Sequence, residues 1–107
     1  VPRSRHLKLS MLRPEFTSKF ERDVKRLQKK HVAVEPLKDV IRLVLVNDAA
    51  SLGELRRRHR MHELKGAWQG AKECHVANMG DWLCVWQTTD ELAIFLRTGT
   101  HDEIFGH

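Results

Sequence analysis

Three short stretches decide the fold: residues 71–76 (AKECHV), 82–87 (WLCVWQ) and 92–98 (LAIFLRT). Each is rich in β-branched or aromatic side chains. The turn-forming groups Asn78-Met79-Gly80 and Thr88-Thr89-Asp90 separate them, which predicts three antiparallel strands. Pairing Val76 with Trp82 sets Cys74 opposite Cys84, with Val76, Trp82 and Trp86 on the same face. A connection that brings Trp86 opposite Leu92 adds Ile94 and Leu96, so this face is expected to pack on helices. Glu73, His75, Asp81, Leu83, Val85, Phe95 and Arg97 fall on the other face, a mixture unlike a core.

Upstream of the strands the pattern changes. Residues 47–70 read as irregular and polar, with the basic run Arg56-Arg57-Arg58-His59-Arg60, and Gly66 and Gly70 bracket Trp68 in a turn that leads into the sheet. Further back, Phe16, Phe20, Val24, Leu27 and His31 lie on one helical stripe, with lysines and arginines over the rest. Thr17 or Ser18 can cap this helix, and Ser18-x-x-Glu21 reads as a capping box. A second helix follows Pro36, with Leu37, Val40, Ile41, Val44 and Leu45 on its apolar face, and ends at Asn47-Asp48. Leu7, Leu9 and Met11 alternate as a strand that Pro14 terminates. Residues 1–6 carry no periodic signal and read as a flexible or vector-derived leader to a single domain, residues 7–107. The expected class is α+β: two N-terminal helices packed on a twisted, mostly antiparallel sheet, in the order β-α-α-β-β-β.

Composition narrows the chemistry. The chain has 107 residues and a net charge of +5. That charge is divided: residues 1–72 sum to +10, and residues 73–107, with Arg97 as their only Lys or Arg, sum to −5. A basic balance of this kind favours a polyanionic partner. There is no tyrosine, and no serine lies in a G-x-S-x-G elbow. Neither G-x-x-x-x-G-K-[ST] nor G-x-G-x-x-G occurs, which leaves nucleotide-cofactor binding without sequence support. No apolar run is long enough for a membrane span, and no apolar signal-peptide core is present, so a cytoplasmic location is expected. The two cysteines are expected to be buried thiols rather than a disulfide.

Seven histidines stand out, four of them between residues 59 and 101. His75 shares a strand face with Glu73, and Asp81 lies across the hairpin mouth. Cleavage of an RNA phosphodiester needs a base for the 2′-OH, an acid for the leaving 5′-oxygen and a cation for the phosphate oxygens. Histidine suits both proton steps. In Arg97-Thr98-Gly99-Thr100-His101, a strand end and a glycine turn deliver His101 beside Arg97, which reads as a proton donor with a phosphate clamp. The plainer reading is a strand-ending turn with an exposed histidine. Arg56, Arg57, Arg58 and Arg60 are either a solvated basic segment or phosphate contacts. Phe105 is either core or a platform for a base. His59-x-x-His62 with Cys74-His75 is a weak zinc pattern, lacking any C-x-x-C, and no metal or other cofactor is expected.

In order, these segments resemble the YafQ-like branch of the RelE/ParE superfamily of bacterial toxins. The resemblance rests on Phe20-Glu21-Arg22-Asp23-Val24-Lys25-Arg26-Leu27-x-Lys29-Lys30, on His62-x-Leu64-x-Gly66-x-Trp68-x-Gly70, on Glu73-Cys74-His75-Val76 with Asp81-Trp82, and on Arg97-Thr98-Gly99-Thr100-His101-x-x-Ile104-Phe105-Gly106. It implies a ribosome-dependent endoribonuclease that cuts mRNA in the A site without a metal and leaves a 2′,3′-cyclic phosphate. It also implies a DinJ-like antitoxin as inhibitory partner, in a heterotetramer that reaches operator DNA only as the complex. By position, His62, His75, Asp81 and His101 match the catalytic set, Phe105 the base-contacting aromatic and Arg97 a supporting cation. His101 is expected as general acid, and His75 or Asp81 on the base side with His62 assisting. Glu73 stands where the family pattern has Asp, and residues 77–80 form a longer connection. A gyrase-directed toxin of the ParE branch and a non-catalytic nucleic-acid-binding module are the alternatives. The three histidines His62, His75 and His101 argue against the first.

Overall fold

A computed structural model describes residues 11–77 and 80–106. The expectations for residues 1–6, Leu7 and Leu9 lie outside the described residues. The chain runs β1 (Arg13–Phe16), α1 (Ser18–Lys29), α2 (Glu35–Val46), α3 (Ala49–His59), β2 (His62–Glu63), a 3-10 turn (Gly66–Trp68), β3 (Lys72–His75), β4 (Leu83–Thr88), β5 (Leu92–Gly99) and α4 (His101–Phe105). The sheet order is β1-β5-β4-β3-β2, with β1 parallel to β5 and the other pairs antiparallel. The α+β class stands, and the sheet is larger than three C-terminal strands.

Pro14 lies inside β1 rather than ending a strand. The strand is at the sheet edge: Arg13 and Thr17 donate their N–H groups to Glu91 and Phe95 carbonyls of the β5 side. By the two-residue period the Pro14 nitrogen points to the open edge, where a missing donor costs the ladder nothing. Thr17 caps α1 by accepting from the Phe20 N–H at 3.0 Å, so the cap is Thr17 and the Ser18–Glu21 box is not the one used. Helix α2 begins as expected around Pro36 and ends where Asn47 turns left-handed, at φ 55°.

The segment expected to be irregular contains a third helix. Asp48 and Ser51 form a capping box, Ser51 N–H to Asp48 Oδ1 at 2.7 Å and Asp48 N–H to Ser51 Oγ at 3.0 Å. Helix α3 buries only Ser51, Gly53 and Leu55, and three arginines follow, so its apolar stripe is too thin to show as a period. Packing of Leu55 into the shared core fixes it.

Cys74 pairs with Cys84 as expected. Both thiols are buried and free; burial, helped by the Glu73 charge, pushes Cys74 up to about 12. The β4–β5 register differs from expectation. Trp86 lies opposite Phe95 rather than Leu92, because the ladder is irregular at Val85/Trp86 and Thr89 closes a tight hairpin by accepting from the Glu91 and Leu92 N–H groups. Ala93 and Phe95 therefore join Cys74, Val76, Cys84 and Trp86 under Phe20, Leu37, Val40, Val44 and Leu55 from the helices. Leu96 goes to a second, smaller cluster with Ala71, Leu83, Val85, Ile104, Leu64, Trp68 and Phe105. The face expected to carry a mixture unlike a core keeps Leu83 and Val85 but loses Phe95 to the helix side, and a small apolar cluster of its own forms there.

Candidate functional site

The site is built at two ends of that second face. At one end, Thr98 and Gly99 finish β5, and Thr100 opens α4 with a reciprocal cap: Glu103 N–H to Thr100 Oγ1 at 3.1 Å and Thr100 N–H to Glu103 Oε1 at 2.9 Å. His101 is the first residue of this helix. Its N–H donates to Asp81 Oδ2 at 3.0 Å and its Nδ1 lies 2.7 Å from Asp81 Oδ1. A carboxylate only accepts, so Nδ1 carries the proton and Nε2 is the atom left for chemistry. Both Asp81 carboxylate oxygens thus lie on His101, one on its backbone N–H and one on its ring. Phe105, one helical turn on, has its ring 6.1 Å from the His101 ring and 5.4 Å from Trp68, edge-on.

The helix that carries His101 is tied to α1 by charges. Asp23, buried to 1 % exposure, accepts from Arg97 Nε at 2.8 Å, Arg97 Nη2 at 3.0 Å, the Thr98 N–H at 3.0 Å and Arg26 Nη2 at 2.9 Å. Burial pushes its carboxyl up, but the bonds from Arg97, Thr98 and Arg26 prevail and hold it below its ordinary value. Arg97 Nη2 also donates to the Glu103 carbonyl at 3.2 Å, and Arg26 and Lys30 reach Glu103 Oε2 at 3.1 and 3.3 Å. The guanidinium of Arg97, read in the sequence as a phosphate clamp, is engaged through Nε and Nη2 with Asp23 and α4. Gly99 is required here, because a Cβ would lie 2.6 Å from Glu103 Oε1, at a φ of 148°.

At the other end, β2 sets His62 opposite Glu73. His62 Nδ1 donates to the Arg60 carbonyl at 3.0 Å, and Nε2 is 3.6 Å from Glu73 Oε2, beyond a hydrogen bond. Glu73 is buried although it carries the longer arm. His75, half-buried, lines a small cavity with Arg58, Arg60, Ala77 and Gly80. Arg56 is exposed, and Arg57 lies back over its own helix, its Nη1 3.0 Å from where a Gly53 Cβ would be. His59, Cys74 and His75 do not converge on a metal site with His62. Cys74 belongs to the helix-side core, and His59 Nδ1 is engaged by the His75 carbonyl at 2.8 Å.

An Asp-held histidine thus lies at one end of this face, and Glu73 with His62 and His75 at the other. Residues 12–106 match the family of bacterial toxins of type II toxin–antitoxin systems, YafQ. The chain belongs to the YafQ toxin family. The mRNA interferase toxin YafQ of Escherichia coli K12 is 36 % identical over 92 residues, which is 86 % of this chain and 94 % of that protein. The crystal structure of YafQ from E. coli BL21(DE3) superposes with a TM-score of 0.74 at 33 % identity, covering 89 % of this chain and 99 % of that one. The E. coli DinJ–YafQ toxin–antitoxin complex gives 0.73 at 33 % identity, with 90 % and 99 % covered. Family membership makes this protein a toxin of a type II toxin–antitoxin system.

Sequence reasoning missed three contributors to the site. Asp23 reads as one more polar residue of a basic helix, although its place three after Phe20 and four before Leu27 sets it on the buried stripe. His59 was considered only as a metal ligand. Glu103 had a legible signal, since Thr100-x-x-Glu103 is a capping box.

Proposed function

We propose that this toxin is an endoribonuclease that cuts mRNA in the ribosomal A site by general acid–base catalysis, its chemistry carried by one domain, residues 7–107, acting in the cytoplasm. The observation that carries the reading is the His101–Asp81 pair, with both carboxylate oxygens spent on His101 and Nε2 left open. In the reaction, His75, assisted by His62, takes the proton of a 2′-OH. The 2′-oxygen attacks the adjacent phosphorus, and the P–O5′ bond breaks. Protonated His101 gives its Nε2 proton to the leaving 5′-oxygen. The products are a 2′,3′-cyclic phosphate and a 5′-OH, so protons and bonds balance. Phe105, beside His101, offers its ring to the flanking base, and Glu73 places a carboxylate near His62. Among the described residues no helix is long and apolar enough to cross a membrane.

The expected partners are the ribosome with its mRNA and an inhibitory antitoxin like the DinJ that accompanies E. coli YafQ. We infer a heterotetramer that meets operator DNA only as the complex. Primer-extension mapping in a translating extract tests the reaction. Wild type is expected to give discrete cuts in the reading frame. His101→Ala should lose about 10²–10⁴ in cleavage rate while its melting temperature and antitoxin binding hold. Cleavage at full rate by that variant sinks the acid assignment. Growth arrest by wild type without any cut RNA points instead to gyrase.

A further inference from the structure

We propose that Arg58 and Arg60, beside the His75 ring, form a second phosphate subsite, which holds an RNA phosphodiester next to the one that is cut. This deepens the nuclease reading and rests on it for the identity of the strand. Local geometry makes the site. Helix α3 ends at His59, and Arg60 follows as its left-handed cap, at φ 55°. His59 Nδ1–H donates to the His75 carbonyl at 2.8 Å, which fastens the helix end to the end of β3. With His59 so engaged, its two neighbours in sequence come to line one cavity of about 200 Å³ together with the His75 side chain, Ala77 and Gly80.

Two guanidinium groups around a space of that size, beside an imidazole, suit a phosphate and not an apolar ligand. Glu54 pairs with Arg58, its Oε2 at 3.5 Å from Nη1. That contact is exposed and long, so a phosphate displaces it at little cost. His75 belongs both to this cavity and to the strand face of Glu73, which sets the bound phosphate on the path of the cleaved strand. The basic run therefore divides: Arg58 and Arg60 bind locally, while Arg56 and Arg57 supply only a diffuse field.

The probe is a short single-stranded RNA with 2′-O-methyl groups, which binds without being cut, titrated into the full-length protein at several salt concentrations. Arg58→Gln with Arg60→Gln should weaken binding by about 10-fold or more and flatten the log K against log salt slope by roughly 0.7, the value for one phosphate lost. Arg56→Gln with Arg57→Gln should weaken binding markedly less. Equal losses in the two double variants overturn the subsite. Inorganic phosphate and purified ribosomes form the other arms. If phosphate binding depends on Arg58 and Arg60 but the oligonucleotide ignores them, the cavity is a free-anion site and the proposal fails. If only ribosome binding depends on them, the phosphate is ribosomal and the cut-strand assignment fails. If oligonucleotide binding depends on the pair but no RNA is cleaved in any extract, the nuclease reading falls and the subsite stands.

Discussion

His101 and His62 present the same imidazole at the same exposure, 52 %, but they are held in opposite ways. The partner of His101, Asp81, is itself 46 % exposed and grips both the backbone and the ring. The partner of His62, Glu73, is only 5 % exposed and stands 3.6 Å off. Burial and fixation are thus separate variables at this site. The end proposed to deliver a proton is fixed by hydrogen bonds in water, behind which a dry ion network locks the helix. The end proposed to receive one has a buried charge beside a looser ring. An acid must meet one leaving oxygen in one direction, whereas a base served by neighbouring histidines tolerates more play.

The strongest way to break this contrast is at its dry anchor. Asp23→Asn leaves Arg97 without its charge partner and should cost about 3 kcal/mol in chemical denaturation, a larger loss than any exposed site residue gives. Asp23 and Glu103 are both held below their ordinary values, Glu103 chiefly by the Thr100 N–H, with burial opposing and Arg26 and Lys30 adding. Depressed carboxyls stabilise the fold above their unfolded values and stop doing so as pH falls through the folded ones. Wild-type melting temperature should therefore fall on acidification below pH 4.5, and Asp23→Asn should flatten that profile. An equally steep profile in the variant removes Asp23 as the anchor.

Next in size is Asp81→Asn, which keeps the shape but upsets the Nδ1–H tautomer. It should reduce kcat on the order of 10²-fold with stability nearly unchanged. Unaltered kcat means that His101 needs no orienting carboxylate. The smallest effect is expected from His62→Ala, about 10-fold or less in single-turnover cleavage, because His75 remains. A loss as deep as that of His101→Ala abolishes the contrast between the two ends.

Much of this was legible in the sequence. The strand triplet 71–98, Cys74 against Cys84 and the cap at Asn47 follow from alternation and turn chemistry that local residues determine. What escaped depended on contacts far along the chain. Helix α3 is fixed by one buried leucine and a cap, and the β4–β5 shift by an irregularity at Val85/Trp86. Arg97 shows the limit best. Its neighbours suggested a phosphate, but the buried carboxylate that claims it comes from position 23, 74 residues away.

Strand β5 receives both ends of the fold: β1 lies along it in parallel, and the Thr17 hydroxyl donates to the Leu96 carbonyl across 79 residues. At roughly 5–20 residues per second of synthesis, α1 leaves the ribosome several seconds before the strand it packs on. His101 follows that strand directly. The nascent chain thus carries its basic helices long before it owns a complete sheet or the proposed proton donor, and the proposed activity arrives in one late step rather than by degrees.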